Sequence, residues 1–315
     1  MTKDITEEFR AFLADNGITV IGQLIADKKL HRIDIEGKRK GNKNGAYVIH
    51  PDPPPSGYFE DHSSGGIKLF WRSKRVTNQK LTAKQIKAQR RKIERQRAKR
   101  EAEEQAKFAA GAERAQSFWA QCEPCEFHEY PINQKKLQAT YGGRVGTWIR
   151  FVENEFGNRT KITIPNTFVI PIFNESGTLV NLQGIFRHQH PILGRAKDFV
   201  PGCRLGGCFY WIGKRADDEG TVLVAEGFAT AASLHEETQC RVYVAFSAGN
   251  LEKVARIVRK RLPRAQIIIA ADNDEKTRGN PGVTAATKAA AAIGGKILIP
   301  PVPGDWNDYI TSLSD

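Results

Sequence analysis

Two short acidic signatures lie in the last third of this 315-residue chain: Glu226-Gly227 and Asp272-Asn273-Asp274. Carboxylates of this kind act as general acids or bases, or hold a hard divalent cation. Brought to one locus without a cation, they would repel one another and push each other's pKa upward. A cation removes that penalty, and oxygen ligands with no His or Cys beside them favour Mg²⁺, with Mn²⁺ as a substitute, over zinc. A single carboxylate at a strand end needs no explanation beyond solvent, but Glu226 together with Asp272 and Asp274 does. Gly227 is expected to let the chain turn tightly and keep the space beside Glu226 clear.

The surrounding pattern says how these residues could meet. Apolar runs at 221–225, 242–246, 266–271 and 296–299 read as strands, alternating with helical stretches at 228–236, 251–261 and 283–293. That alternation predicts an α/β unit over 221–315, with a mainly parallel sheet covered on both faces. Ligands of such sheets bind beyond the carboxyl ends of the strands. Glu226 ends the first strand, and Asp272 and Asp274 follow the third, so they are candidates for that position.

The preceding chain is organised differently. Residues 1–80 read as a small β-rich domain, punctuated by Gly and Pro, with aromatics at Tyr47, Tyr58, Phe59, Phe70 and Trp71. The last two sit among Lys68, Arg72, Lys74 and Arg75. They could be a stacking platform with phosphate contacts or the ordinary core of a small domain. Residues 81–119 predict a basic linker helix with Thr82 as N-cap. Residues 120–220 form a basic α+β region. In it, an apolar strand over 168–173, demoted to an edge by Pro171, turns at 174–177 into a second strand over 178–186. Arg187, Arg195, Lys197 and Arg204 follow.

Charge supports a division of labour. The net charge is +13, yet residues 221–315 hold 11 Lys/Arg against 10 Asp/Glu. The basic excess lies before residue 221 and suits a polyanionic partner. No apolar run reaches the length of a membrane span, and the first residues lack a secretory signal, so a cytoplasmic protein is expected. Five cysteines, an odd number, argue against a disulfide framework. Cys122 and Cys125 form one C-x-x-C pair near His128, and Cys203 and Cys208 stand further on. The paired spacing of a zinc ribbon is missing, which argues against structural zinc. There is no G-x-x-x-x-G-K-[ST] loop, so any helicase is expected from a separate partner.

The Glu-Gly after one strand and the Asp-x-Asp after a later one resemble the Toprim domain shared by bacterial primases, topoisomerases and some nucleases. Four runs resemble primases of conjugative plasmids and phages more closely: residues 222–235, 244–250, 269–274 and Gly304-Asp305-Trp306-Asn307-Asp308. The resemblance covers about residues 168–309 well, and the first 80 residues more loosely. It implies a Rossmann-like catalytic unit in which Glu226 acts as general acid/base or further ligand while Asp272 and Asp274 hold Mg²⁺. Asp305 and Asp308 would join the cluster. Arg187 and Lys197, with Arg195 and Arg204 near them, would face template or nucleotide phosphates.

The function so implied is a DNA primase that joins ribonucleoside triphosphates into short primers on single-stranded DNA, for a plasmid, phage or integrated mobile element. A Toprim nuclease and a non-catalytic single-stranded DNA-binding protein are the alternatives. The first would use the same carboxylates with water as nucleophile; the second would leave them without a role.

Overall fold

The computed structural model describes residues 2–38, 41, 43–62, 67–73, 83–153, 158–214 and 218–313. The expected N-cap Thr82, and Lys74 and Arg75 beside the aromatic pair, lie outside the described residues. The chain divides into two compact units, Met1–Arg95 and Gln96–Asp315.

The first unit opens with helix α1 (Thr2–Asp15), which the overall polarity of these residues hides in sequence. Phe9 and Leu13, four apart, are fully buried against Tyr47, Ile49, Phe59 and Trp71, the spacing that places two side chains on one helix face. Five strands follow: β1 (Val20–Ile21), β2 (His31–Ile35), β3 (Gly45–His50), β4 (Ser56–Asp61) and β5 (Ile67–Arg72). They pair in sequence order as an antiparallel sheet. Side chains alternate across β4, buried at every second residue, as a sheet with one core face and one open face requires.

Helix α2 (Ala83–Gln121) is 39 residues long. Residues 93–107 are exposed, as expected of a charged helix, but the last turns are not: Ala115 is fully buried with Cys122, Trp148, Val169 and Leu182. Beyond it come β6 (Glu123–Pro124), a wide helical turn (Tyr130–Gln134), β7 (Arg144–Glu153), β8 (Arg159–Phe173), β9 (Leu179–His190) and β10 (Arg195–Phe199). The antiparallel order is β10-β9-β8-β7-β6. The β8–β9 hairpin is the one read from sequence, with Asn174 Oδ1 accepting from the Ser176 and Thr178 N–H groups. Pro171 corrects the edge assignment, because β8 is central. Pairing with β7 ends at Val169, however, so the proline lies where β8 has lost one neighbour and its missing donor breaks no ladder.

The last sheet has the order β11-β13-β12-β14-β15. Its strands are β11 (Tyr210–Ile212), β12 (Thr221–Ala225), β13 (Arg241–Val244), β14 (Gln266–Ala270) and β15 (Lys296–Leu298). All pairs are parallel except β11 on β13. Helices α3 (Phe228–Thr238), α4 (Ala248–Arg261), α5 (Pro281–Ile293) and α6 (Trp306–Ser312) cover it. On one face, Phe168, Ile170 and Ile172 of β8 pack with Leu223, Phe228 and Val244. On the other, Val224 and Ile269 meet Val254 and Val258 of α4 and Ala286 and Ala290 of α5. Residues 120–220 and 221–315 therefore share a core rather than forming separate globules. Among the described residues, no helix is long and apolar enough to cross a membrane.

Candidate active site

The register of the parallel sheet brings the acidic signatures together. Ala225 of β12 pairs with Ala270 of β14, so Glu226 leaves the sheet beside Ala271 and one residue before Asp272. Asp272 is held by the chain that follows. The Asp274 N–H donates to Asn280 Oδ1 at 2.9 Å, and Asn280 Nδ2 donates to Asn273 Oδ1 at 2.9 Å. Asn280 also N-caps α5, followed by Pro281 in its first turn. The C-terminal chain closes the other side, since Asn273 and Gly304 exchange backbone hydrogen bonds of 2.9 and 3.0 Å. Asp305 then N-caps α6, accepting from the Asp308 N–H at 2.9 Å.

The electrostatics show these carboxylates acting on one another. Burial pushes the Asp272 carboxyl up to about 7, reinforced by Glu226, Asp305 and Asp274 and opposed by Lys197. One oxygen of Asp272 is buried without a hydrogen-bond partner. Glu226 is raised as well, chiefly by burial and further by Asp274, while the Ala248 N–H at the start of α4 and Lys197 pull it down. Lys197 is depressed by burial first and by Lys135 second, against the attraction of Asp305, Asp272 and Glu226. Lys135 lies 3.6 Å from Asp308. The site is a half-buried carboxylate group, and the ammonium of Lys197, a residue exposed overall, acts on it.

Of the basic residues singled out in the sequence, Lys197 alone acts on Glu226 and Asp272. Arg187 is 63% exposed and pairs with Glu129 at 3.0 Å. Arg195 pairs with Asp198 at 3.2 Å. Arg204 donates from Nε to the Gly206 carbonyl at 2.9 Å. Gly227 lies in the bend that joins β12 to α3, but in a conformation open to any residue. Its φ of −98° and ψ of 153° are ordinary extended backbone, and an added Cβ would meet only Thr230, 3.2 Å from its hydroxyl. Lys135, Tyr130 and Gly282 were not legible as site residues. Tyr130 is buried with an unpaired hydroxyl and feels Asp305 and Asp308. Asn280-Pro281-Gly282, a cap, a proline and a residue without Cβ in succession, was the signal available for the α5 end of the site.

The donors are hard oxygens, and the desolvated, mutually repelling carboxylates with an orphaned Asp272 oxygen suit a cation. Among the described residues, no group of three or more His, Cys, Asp or Glu side chains is placed to hold a metal ion by itself. Mg²⁺ is commonly held by one or two carboxylates, the rest of its shell being water and substrate phosphate, so the donor set fits that ion.

Residues 221–315 match the family model described as Toprim domain, and this part of the chain is a Toprim domain. Almost the whole chain is also similar to two proteins of Escherichia coli, each named DNA primase TraC. One is 29% identical over 299 residues, covering 92% of this chain and 25% of the relative. The other is 30% identical over 297 residues, covering 92% and 19%. The chain thus spans a quarter or less of the length of these curated relatives. Among solved structures, the DnaG primase catalytic domain bound to ssDNA is similar at 12% identity with a TM-score of 0.45, over 67% of this chain and 76% of that one.

Proposed function

We propose that this chain is the catalytic part of a DNA primase, making short RNA primers on single-stranded DNA in the cytoplasm by nucleotidyl transfer. The observation that carries the reading is the coupling of Glu226, Asp272 and Asp274 with Lys197 in a chain similar over 92% of its length to proteins named as primases. The similarity includes β8–β10, which supply Lys197, and not the Toprim domain alone.

In this reading Asp272 and Asp274 hold Mg²⁺, with Asp305 and Asp308 beside them. When bound, Mg²⁺ supplies neutralisation of phosphate charge and acidification of the attacking hydroxyl. Glu226, whose carboxyl is raised above its ordinary value chiefly by burial and so is a stronger base than a solvated carboxylate, takes the proton of the primer 3′-hydroxyl. That oxygen forms a bond to the α-phosphorus of the incoming ribonucleoside triphosphate while the bond to the β-phosphate bridging oxygen breaks, and pyrophosphate leaves. Lys197 and Lys135 offset the charge of the triphosphate. Arg187, exposed at the end of its strand, and the basic surface before residue 221 hold the template backbone.

The test incubates the protein with single-stranded DNA, labelled ribonucleotides and Mg²⁺ beside the Asp272→Asn variant. Short labelled products in the wild type alone support the reading. Shortened template with no products would replace it with a nuclease, and bound, unchanged template would leave a binding protein.

A further inference from the structure

The open face of the first unit's sheet carries side chains in an order set by strand register. Val48, Tyr58 and Phe70 are paired across β3, β4 and β5 and form one row. On one side runs the row Arg32, Ala46, Glu60 and Lys68; on the other run His50, Ser56 and Arg72. Neighbouring rows on one face are two residues apart, about 7 Å. The core aromatics Tyr47, Phe59 and Trp71 occupy the opposite face, so only part of the aromatic content of this domain is surface.

Phe70 is 76% exposed, so most of its ring faces solvent. Its ring lies 5.1 Å from that of Tyr58. The Tyr58 hydroxyl is satisfied, donating to Glu60 Oε2 at 2.6 Å, which fixes its ring in place. Arg32 and Arg72 are exposed and make no ion pair among the described residues, and Lys68 reaches Glu60 at 3.5 Å with its side chain still more than half exposed.

We propose that this face binds single-stranded DNA, with bases stacking on Phe70 and Tyr58 and the backbone phosphates held by Arg32, Lys68 and Arg72. Ring faces accept any base, and cations beside them meet the phosphates of the same strand, which is the pairing that sequence-tolerant single-strand binding needs. A protein partner fits less well, because the centres of protein interfaces are depleted of charge and here the aromatic row is flanked by charge on both sides. The choice of DNA over RNA rests on the template proposed above; the stacking face itself does not.

The test uses the full chain without nucleotides or metal, so that synthesis plays no part, and titrates it with oligodeoxythymidylate. In Phe70→Trp, tryptophan fluorescence should be quenched on binding beyond any change in the wild type. Phe70→Ala should keep the wild-type melting temperature and bind about tenfold more weakly. Arg32→Ala and Arg72→Ala should each lower the log–log salt slope by about 0.7. Absence of extra quenching in Phe70→Trp at saturating oligonucleotide, or unchanged affinity in Phe70→Ala, would overturn the proposal. Preference for oligouridylate would overturn the assignment to DNA. Quenching in a protein that makes no primers would sink the primase reading and leave this one standing, and primer synthesis without quenching would do the reverse.

Discussion

The backbone N–H of Gly282 donates to the Asp274 carboxylate at 3.0 Å. The same residue lies so close to the preceding loop that a Cβ there would fall 2.3 Å from the Asp272 carbonyl oxygen. The first turn of α5 therefore fits against both acidic residues only because position 282 has no side chain. Gly282→Ala must displace the loop or the helix, since the obstructing atom is backbone. A loss of about 1–3 kcal/mol is expected, the usual cost of overpacking. Primer synthesis should fall by about 100-fold, because displacements near 1 Å suffice for that. Thermal melts and primer yields on one preparation check both, and wild-type yield would show that the loop need not be held.

Asp272 gives the site a pH dependence whose sign can be worked out. Its carboxyl is raised from 3.8 to about 7, so between those values the folded chain holds a proton that the unfolded chain has released. Stability therefore falls as pH rises through this window, and the full cost of the buried charge is present above about 7. Mg²⁺ binds the ionised form, so its stabilising effect should be larger at pH 8 than at pH 6. Asp272→Asn should melt higher than the wild type in metal-free buffer at pH 8, by about 2–4 °C for each ~1 kcal/mol of relieved charge, and should lose the response to Mg²⁺. A variant that melts lower without metal would contradict the assignment of Asp272 as a desolvated carboxylate whose charge destabilises the fold.

The Toprim domain was legible because its signals are local. Four short apolar strands alternate with helices, and the carboxylates sit where strands end. The register that sets Glu226 beside Ala271 follows from that alternation once β12 and β14 are neighbours. Lys197 was legible as a basic residue, but its place beside the carboxylates depends on β10 packing over a core that draws on residues from 130 to 270, which no local window contains. Arg187, Arg195 and Arg204 carry the same charge in the same stretch, and only tertiary partners separate them from Lys197. Helix α1 was missed because its apolar face is narrow in a polar segment. In the first unit, period-2 alternation could have told Trp71, which is buried, from Phe70, which is not, had the strand phase been known.

Asn307 ties the C-terminal turn to the rest of the site. It is almost fully buried, and its Nδ2 donates to Ser233 Oγ of α3 at 2.9 Å and to the Lys135 carbonyl at 2.8 Å. Asp305 and Asp308, on either side of it in α6, are thereby set near Asp272 and Lys135. Asn307→Ala should cost about 1–3 kcal/mol through the acceptors it leaves unpaired, and should raise the Mg²⁺ concentration needed for half-maximal synthesis. Asp305→Asn, which keeps the hydrogen-bond geometry, should affect the metal requirement with little effect on stability. Equal changes in melting temperature for the two would argue against Asn307 as the anchor.

The position of Lys197 rests on its neighbour. Asp198 is 4% exposed and accepts from Trp148 Nε1 at 3.1 Å. Arg150 Nε lies 3.0 Å away, a close ion pair without the alignment of a hydrogen bond, and Arg195 is at 3.2 Å. In β10, Asp198 is paired with Gly184, over which Trp148 packs, while Lys197 is paired with Ile185 of the shared core. Successive strand residues face opposite ways, so anchoring Asp198 on one side aims Lys197 into the carboxylate group on the other. Trp148→Phe removes one donor and keeps the ring, and about 1–3 kcal/mol of stability should be lost. Asp198→Asn leaves Arg150 without its counter-ion and should cost more, about 3–5 kcal/mol. If Lys197 meets the triphosphate, both variants should raise the nucleotide KM more than they lower kcat, with Asp198→Asn the larger effect. A fall in kcat alone, at unchanged KM, would instead put Lys197 in the chemical step and detach Asp198 from nucleotide binding.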